Sequence, residues 1–135
     1  MAPTGEAARI ASDALARLGS KLHHRDQTIV DEFSDAVDVT LVGSEAGESA
    51  RGKPAIAEFF RAAFGWPVRI CWEWSGIDVC RQADILWFFA EGAAVITADP
   101  GENRKPYRLS GVLALEDGVW RWRLFHGSEP VTGSG

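Results

Sequence analysis

Residues Glu116–Pro130 read EDGVWRWRLFHGSEP, and this stretch decides the fold. Its Asp-Gly pair, Asp117-Gly118, separates two apolar runs, which is a strong signal for a two-residue hairpin turn. Alternation after the turn predicts a strand over 119–127. One face of that strand then carries Trp120, Trp122, Leu124 and His126. We expect this face to lie against helices, which would place His126 at the end of an apolar wall.

Before this stretch, the chain divides into a helical first half and a strand-rich second half. Helices are predicted over 6–18 with Gly19 as the stop, in a short segment capped by Asp26, and in KPAIAEFFRAAFG up to Gly65. Strands are predicted over 37–42, 68–79, 84–91, 107–116 and 119–127, with a hairpin arm in 43–52 and a polar turn over 98–106. This order is typical of an α+β domain with helices on one face of an antiparallel sheet.

Length and composition restrict the class of protein. The 135 residues predict one domain, 1–135, with a core of about 6–130 and a flexible tail over 131–135. With 46% hydrophobic residues, 24% charged residues and a net charge of −5, the chain should be soluble and should not bind nucleic acid. No signal peptide or membrane span is visible, and two cysteines suit a reducing, cytoplasmic setting.

Tryptophan is abundant, and five of the six tryptophans fall in the strand-rich half. They are Trp72, Trp74, Trp87, Trp120 and Trp122. Large aromatic side chains on strands either fill a broad core or line a pocket or interface. The sequence leaves both alternatives open.

The order of elements and the motifs resemble the nuclear-transport-factor-2-like superfamily, which includes ketosteroid isomerases and scytalone dehydratase. The similarity is closest to its SnoaL-like branch and to the association domain of calcium/calmodulin-dependent kinase, which end in D-G-x-W followed by H-x-S. Here those positions are Asp117, Gly118, Trp120, His126 and Ser128, preceded by RLSGVL. The resemblance implies a cone-shaped, curved and mostly antiparallel sheet wrapped around the N-terminal helices. It implies little about function, because this fold hosts enzymes, binders and assembly modules.

The resemblance implies that the catalytic residues of ketosteroid isomerases are missing from this sequence. The general base of ketosteroid isomerases would fall on Thr40, and their protonated aspartate on Gly111, so both carboxylates are missing. Asp38 is either a displaced acid/base or a solvated residue at a strand end. Gly111, where the kinase association domain has its pocket arginine, leaves room for a ligand or for a tryptophan ring.

Other motifs add little chemistry. The adjacent His23 and His24 point to different faces, so no metal site is predicted. No phosphate-binding loop and no nucleophile motif is present, so no cofactor is predicted. Tyr107 has the parity of Gly111 and could face the cone, where its phenol could donate to a ligand carbonyl.

The opposite face of the sheet predicts assembly. Alternation places Cys71, Phe88, Val112, Ala114 and Phe125 there, among Arg108, Arg121 and Arg123. An apolar centre with a charged rim is typical of an interface, so we expect a homodimer through this face.

Two functions remain open. The first is binding of a small, mostly apolar molecule in the cone, with walls of tryptophan and with Tyr107, Thr40 and Gly111 at the ligand. If the protein is an enzyme, the resemblance implies cofactor-free isomerase, dehydratase or cyclase chemistry, with His126 as the proton carrier and Asp38 as its partner. The second is a non-catalytic association module whose cone is filled by its own tryptophans. An open cavity distinguishes the first from the second.

Overall fold

The computed structural model describes residues 3–99 and 101–130, and the predicted flexible tail over 131–135 lies outside them. Two α-helices, α1 (Pro3–His23) and α2 (Lys53–Ala63), and one 3₁₀ helix (Gln27–Glu32) pack on a single sheet. The six strands are β1 (Thr40–Val42), β2 (Ser49–Arg51), β3 (Arg69–Gln82), β4 (Ile85–Ala98), β5 (Gly101–Glu116) and β6 (Val119–Ser128). The predicted α+β class is confirmed.

Helix α1 runs past its predicted stop. Its buried stripe contains Ala7, Ala11, Ala14, Leu15 and Leu18, as helical periodicity requires. Gly19 does not end the helix. A Cβ at this position would lie 3.5 Å from the ring of Trp72, an ordinary van der Waals distance, so the helix passes the sheet in normal contact here.

The predicted cap of the short helix is present. The Asp26 carboxylate accepts a hydrogen bond of 2.9 Å from the backbone N–H of Thr28, at the start of the 3₁₀ helix. That bond is the main reason why the pKa of Asp26 is lowered. The cap fixes the turn that brings Ile29 and Phe33 into the core.

The sheet has the order β2-β1-β6-β5-β4-β3. Four long strands, β3 to β6, form consecutive antiparallel hairpins, and β1 pairs with β6 in parallel. The hairpin arm predicted in 43–52 is the β1–β2 pair. The polar turn predicted over 98–106 is wrong in extent, because β5 already begins at Gly101 and pairs with β4 through Pro106.

Two irregularities reverse the alternation along the strands. In β3 the register shifts between Trp74 and Gly76. In β6 the pairing with β5 skips Arg123, which forms a bulge. Each extra residue moves the following side chains to the other face of the sheet. In β6, Trp122 therefore faces the core before the bulge, whereas Phe125 faces it afterwards.

The bulge at Arg123 overturns part of the predicted face assignment. Leu124 and His126 were expected on the inner face, but they lie on the outer one, where His126 is exposed. Phe125 was expected outside but is only 5% exposed within the core. Phe88 was also placed outside, yet its ring is buried against Trp122, with ring centroids 5.5 Å apart.

Candidate functional site

An open cavity lies between helix α2 and the concave face of the sheet. Its volume is about 240 Å³, just below the roughly 300–1,000 Å³ typical of small-molecule sites. Phe59, Phe60 and Ala63 of α2 form one wall, since the three positions share one side of the helix. The strands β3 to β6 and the β1–β2 turn form the rest.

The sheet side of the cavity is mostly apolar. Ile70 and Trp72 of β3 face Ala94 and Ile96 of β4 across the register of the sheet, and Phe125 of β6 completes the wall. The Trp72 ring lies 5.7 Å from that of Phe125, centroid to centroid. Such a surface favours an apolar ligand, because a bound molecule removes it from water.

Tyr107 places a polar group on this apolar wall. Its side chain is only 7% exposed and its ring stacks on Trp72, with centroids 6.1 Å apart and an interplanar angle of 22°. Burial, followed by the negative charges of Glu48 and Glu129, raises the pKa of the phenol, so Tyr107 stays neutral. No described residue forms a hydrogen bond with the Tyr107 hydroxyl.

Gly127 makes room for that phenol. It lies on β6, beside β5, and a Cβ at this position would overlap Tyr107 Oη. The glycine therefore allows the tyrosine to extend fully along the wall of the cavity. The hydroxyl is held in place by packing rather than by a hydrogen bond.

The polar rim of the cavity comes from the β1–β2 turn and from the end of β6. Glu45 and Glu48 line it, and Glu48 Oε1 accepts a hydrogen bond of 3.0 Å from the backbone N–H of Glu45. Glu129 Oε2 accepts one of 3.2 Å from Ser44, while Glu129 Oε1 lies 3.9 Å from Lys105 Nζ.

Of the residues predicted to bind a ligand, Tyr107 and Trp72 line this cavity. Trp74 lies behind them and packs on both rings, 5.7 Å from Trp72 and 6.2 Å from Tyr107 between centroids. Trp74 thus supports the wall without forming it.

The narrow end of the cone is filled. Trp122 is fully buried there, and Trp120 lies at the same end under the Arg81 guanidinium, 5.0 Å from its ring centroid. A Cβ on Gly111 would come within 2.7 Å of the rings of Phe88 and Trp122. The space left by Gly111 therefore holds a tryptophan ring and not a ligand, which was one of the two alternatives.

The remaining predicted site residues lie outside the cavity. The predicted placement of His126 in the cone is wrong because of the bulge at Arg123. Asp38 is exposed and pairs with Arg123 at 2.9 Å, as a solvated residue beside the strand. Thr40 bonds the backbone carbonyl of Asp38, and Trp87, 43% exposed, lies on the outer face.

Three acidic residues of the site were not anticipated. Glu45 and Glu48 belong to a stretch that predicts only a hairpin turn. Glu129 follows the strand, and its inward direction becomes visible only when the bulge at Arg123 is counted, since it then shares the parity of Phe125 and Gly127.

The site offers no group of metal ligands. Within residues 3–99 and 101–130, no three His, Cys, Asp or Glu side chains come together in a way that could hold an ion. The chemistry that the site can perform on its own is hydrogen bonding and proton transfer by a phenol and carboxylates.

The fold is a curved sheet wrapped around helices. One end of the resulting cone is filled by tryptophan side chains and the other end holds an open pocket, and this arrangement defines a class of protein. Solved structures of the nuclear-transport-factor-2-like class share this fold. A superfamily protein from Salmonella enterica superposes with a TM-score of 0.80 at 16% identity, over 97% of this chain and 96% of its own. A suggested dehydratase of the family from Streptomyces avermitilis gives 0.82 at 11% identity, over 95% and 99%. ActVI-ORFA from Streptomyces coelicolor gives 0.75 at 14% identity, over 90% and 96%.

The sequence profile of the SnoaL-like domain matches residues 12–132, so the chain belongs to the SnoaL-like family. Comparison with curated proteins finds no match. None of the helices in the described part of the chain is long and apolar enough to cross a membrane.

Proposed function

We propose that this protein binds a small, mostly apolar molecule in the open half of its cone. One observation carries the proposal: a cavity of about 240 Å³ has apolar walls and a single phenol, that of Tyr107, whose hydroxyl forms no hydrogen bond with a described residue. Pockets that combine apolar walls with a few placed polar groups are typical of small-molecule sites. The volume suits a compact ligand, smaller than a drug-sized molecule.

Tyr107 orients the ligand in this proposal. A neutral phenol in an apolar wall can donate a hydrogen bond to a ligand oxygen, and such a bond is worth about 1 kcal/mol. The ligand therefore combines an apolar body with at least one polar atom near Tyr107 Oη.

A titration of the labelled protein with 2-phenylethanol, followed in ¹H–¹⁵N NMR spectra, tests the binding. We expect the Trp72 indole signal to shift and Tyr107→Phe to weaken binding roughly three- to tenfold, the value of one hydrogen bond. Thr40→Val is the matched control, because it removes a hydroxyl outside the cavity. Shifts confined to the outer face, or equal effects of the two variants, would rule out this site.

The same residues favour cofactor-free acid/base chemistry as the reaction class. Glu48 could accept a proton and Tyr107 could donate one, and both line the cavity. This assignment replaces His126 and Asp38, which lie outside. It agrees with isomerase, dehydratase or cyclase chemistry, in which a proton is removed beside a carbonyl while the oxygen accepts a hydrogen bond.

Exchange of protons in D₂O tests this step without knowledge of the substrate. We expect the protein to speed deuterium uptake at the carbon beside the carbonyl of phenylacetone, and Glu48→Gln to abolish the increase. Glu102→Gln, on an exposed strand end, should leave it unchanged. Uptake at the same rate in Glu48→Gln would assign the base elsewhere, and no uptake in any variant would leave binding as the whole function.

The outer face of the sheet supports the second function, homodimerisation. Ile85, Trp87 and Phe89 are 37%, 43% and 36% exposed on β4, and Val112 and Leu124 lie beside them. Ion pairs at the edge, Arg108–Glu91 at 3.2 Å among them, surround this apolar patch. Exposed apolar patches with a charged rim mark interfaces, and twofold pairing of like patches is the commonest symmetry.

Light scattering coupled to size-exclusion chromatography tests the dimer. We expect twice the 14.7 kDa of one chain for the natural sequence and a single chain for Trp87→Glu. Val37→Glu is the control, because Val37 is 91% exposed in the loop before β1 and does not line the patch. A monomer at every concentration, or a dimer that survives Trp87→Glu, would reject this face as the interface.

A further inference from the structure

The mouth of the cavity carries an excess of negative charge. Glu45, Glu48 and Glu129 line it, whereas Lys105 is the one cationic side chain among the lining residues. Lys105 is already engaged, since its Nζ lies 3.9 Å from Glu129 Oε1. A ligand with a negative charge would therefore meet repulsion at this mouth, while a positive charge would be attracted.

Two carboxylates of this group, those of Glu45 and Glu48, have no cationic partner among the residues described, and Glu48 is the less exposed of the two. It is half-buried and accepts its bond from the backbone N–H of Glu45, which leaves Oε2 free. Glu129, in contrast, is bonded by Ser44 and lies near Lys105. A half-buried carboxylate without a cationic partner can gain more from a bound cation than a solvated one, because water screens it less.

A second, independent feature is the buried phenol of Tyr107. It is 7% exposed, lines the same cavity and has no hydrogen-bond partner in the described chain. Its oxygen can accept a hydrogen bond as well as donate one. An N–H group of a ligand can therefore be bonded by Tyr107 Oη while the charge lies in the field of the carboxylates.

Aromatic rings also surround the space. Trp72 and Tyr107 form one side, Phe59 and Phe60 form the other, and Trp66, 37% exposed, lies at the mouth. The face of an aromatic ring attracts an organic cation, and the attraction grows when water is excluded. Aromatic walls with a carboxylate at the opening are the combination that recognises an amine with an apolar body.

We propose that the ligand of this cavity is a small organic cation, an amine with an apolar body, which extends its charged nitrogen toward Glu48 and Tyr107. This inference rests on the proposed binding function and narrows its ligand class. It predicts the lowest affinity for anionic ligands, such as small carboxylic acids, and an intermediate affinity for neutral alcohols and ketones.

Three probes that share one phenyl group test the charge preference directly. They are phenethylamine, 2-phenylethanol and phenylacetate, titrated at low salt and followed through the Trp72 indole signal. We expect phenethylamine to bind roughly two- to fivefold more tightly than the alcohol, the value of a partly exposed ion pair, and phenylacetate to bind most weakly. The preference should shrink at 1 M salt, where charges are screened over about 3 Å.

Two carboxylate variants locate the source of the preference. Glu48→Gln keeps the size of the side chain and should remove most of the advantage of phenethylamine, with the alcohol affected less than twofold. Glu102→Gln removes one charge from an exposed position outside the cavity and should leave all three affinities unchanged. The ratio of amine to alcohol affinity separates the charge effect from a general loss of structure.

The outcomes distinguish this inference from the proposed function. Alcohol or acid binding at least as tight as the amine would overturn the cation preference and leave small-molecule binding intact. Failure of all three probes to shift Trp72 would remove the binding function itself. An amine preference that persists in Glu48→Gln would reject the assignment to Glu48.

Discussion

The concave face has a closed half, filled around Trp122, and an open half, which holds the cavity. Each half has a glycine opposite an aromatic side chain, but with different results. In the closed half Gly111 leaves space for Trp122 and Phe88, and in the open half Gly127 leaves space for the Tyr107 hydroxyl. In the first, aromatic rings fill the space completely. In the second, one polar atom is brought to the wall of a cavity. The difference shows that a glycine opposite an aromatic residue does not by itself predict a pocket.

Neighbouring side chains decide which result is obtained. Trp122 in the closed half contacts three rings, those of Phe33, Phe88 and Phe125, with centroids 5.5 to 6.5 Å away. Near Tyr107 the cavity remains between the sheet and α2. We therefore expect changes in the closed half to affect stability and those in the open half to affect binding.

Truncation of tryptophan should separate the halves most clearly. Trp122→Ala removes a fully buried ring and should lower the free energy of unfolding by about 3–5 kcal/mol. Trp72→Ala should cost about half as much, because its ring already borders a cavity and is only partly buried. Urea unfolding followed by circular dichroism measures both. Equal losses would mean that the open half is packed as tightly as the closed half.

Added volume in the closed half gives the next largest effect. Gly111→Ala should destabilise the protein by about 1–3 kcal/mol, because the new methyl group meets two buried rings at 2.7 Å. Gly76→Ala is the control, since a Cβ there meets nothing within 4 Å and the residue also lies in a strand. If both variants unfold at the same urea concentration, the rings at Gly111 can move aside and the closed half is less rigid than its packing indicates.

Much of this architecture can be predicted from local sequence. Asp117-Gly118 forms the expected turn with φ values of 53° and 79°, which few other residue pairs adopt easily. The α2 stripe and the Asp26 cap likewise follow from residues close together in the chain. These signals suffice because each depends on neighbours within a few positions.

The site is harder to predict because it depends on register. A single extra residue at Arg123 moves His126 out of the cone and Phe125 into it, and strict alternation contains no sign of that bulge. The same shift turns Glu129 toward the cavity. Glu48 reaches the rim through the folding of a turn whose sequence predicts only a loop. Tyr107 was predictable because it lies on the regular strand β5.

The open half can be tested by the counterpart of the Gly111 substitution. Gly127→Ala should cost about 1–2 kcal/mol, since its methyl group displaces the Tyr107 hydroxyl and overlaps the wall. In a Tyr107→Phe background the cost should fall, because the overlapping oxygen is absent. A double-mutant cycle by urea unfolding measures this coupling. Additive effects would mean that the hydroxyl is not held against Gly127, and Gly76→Ala serves again as control.

The smallest effect at neutral pH should come from Tyr107→Phe, with a change in stability below about 1 kcal/mol, because the hydroxyl has no partner within the described chain to lose. In alkali, Tyr107→Phe should gain stability relative to the natural sequence. Burial raises the pKa of Tyr107 above the value of about 10 that it has when unfolded, so its contribution is complete below pH 10 and is lost as pH rises further. The unfolded chain then releases a proton that the folded chain retains, and the natural sequence should lose up to about 1.4 kcal/mol per pH unit relative to Tyr107→Phe.

Urea unfolding of both proteins between pH 8 and about 11 measures the difference, in which other titrating groups cancel. Because the chain has a single tyrosine, absorbance at 295 nm gives the same pKa directly. Ionisation near pH 10 in the folded protein would show that water reaches the phenol, and the open half would then be a solvated surface and not an apolar pocket.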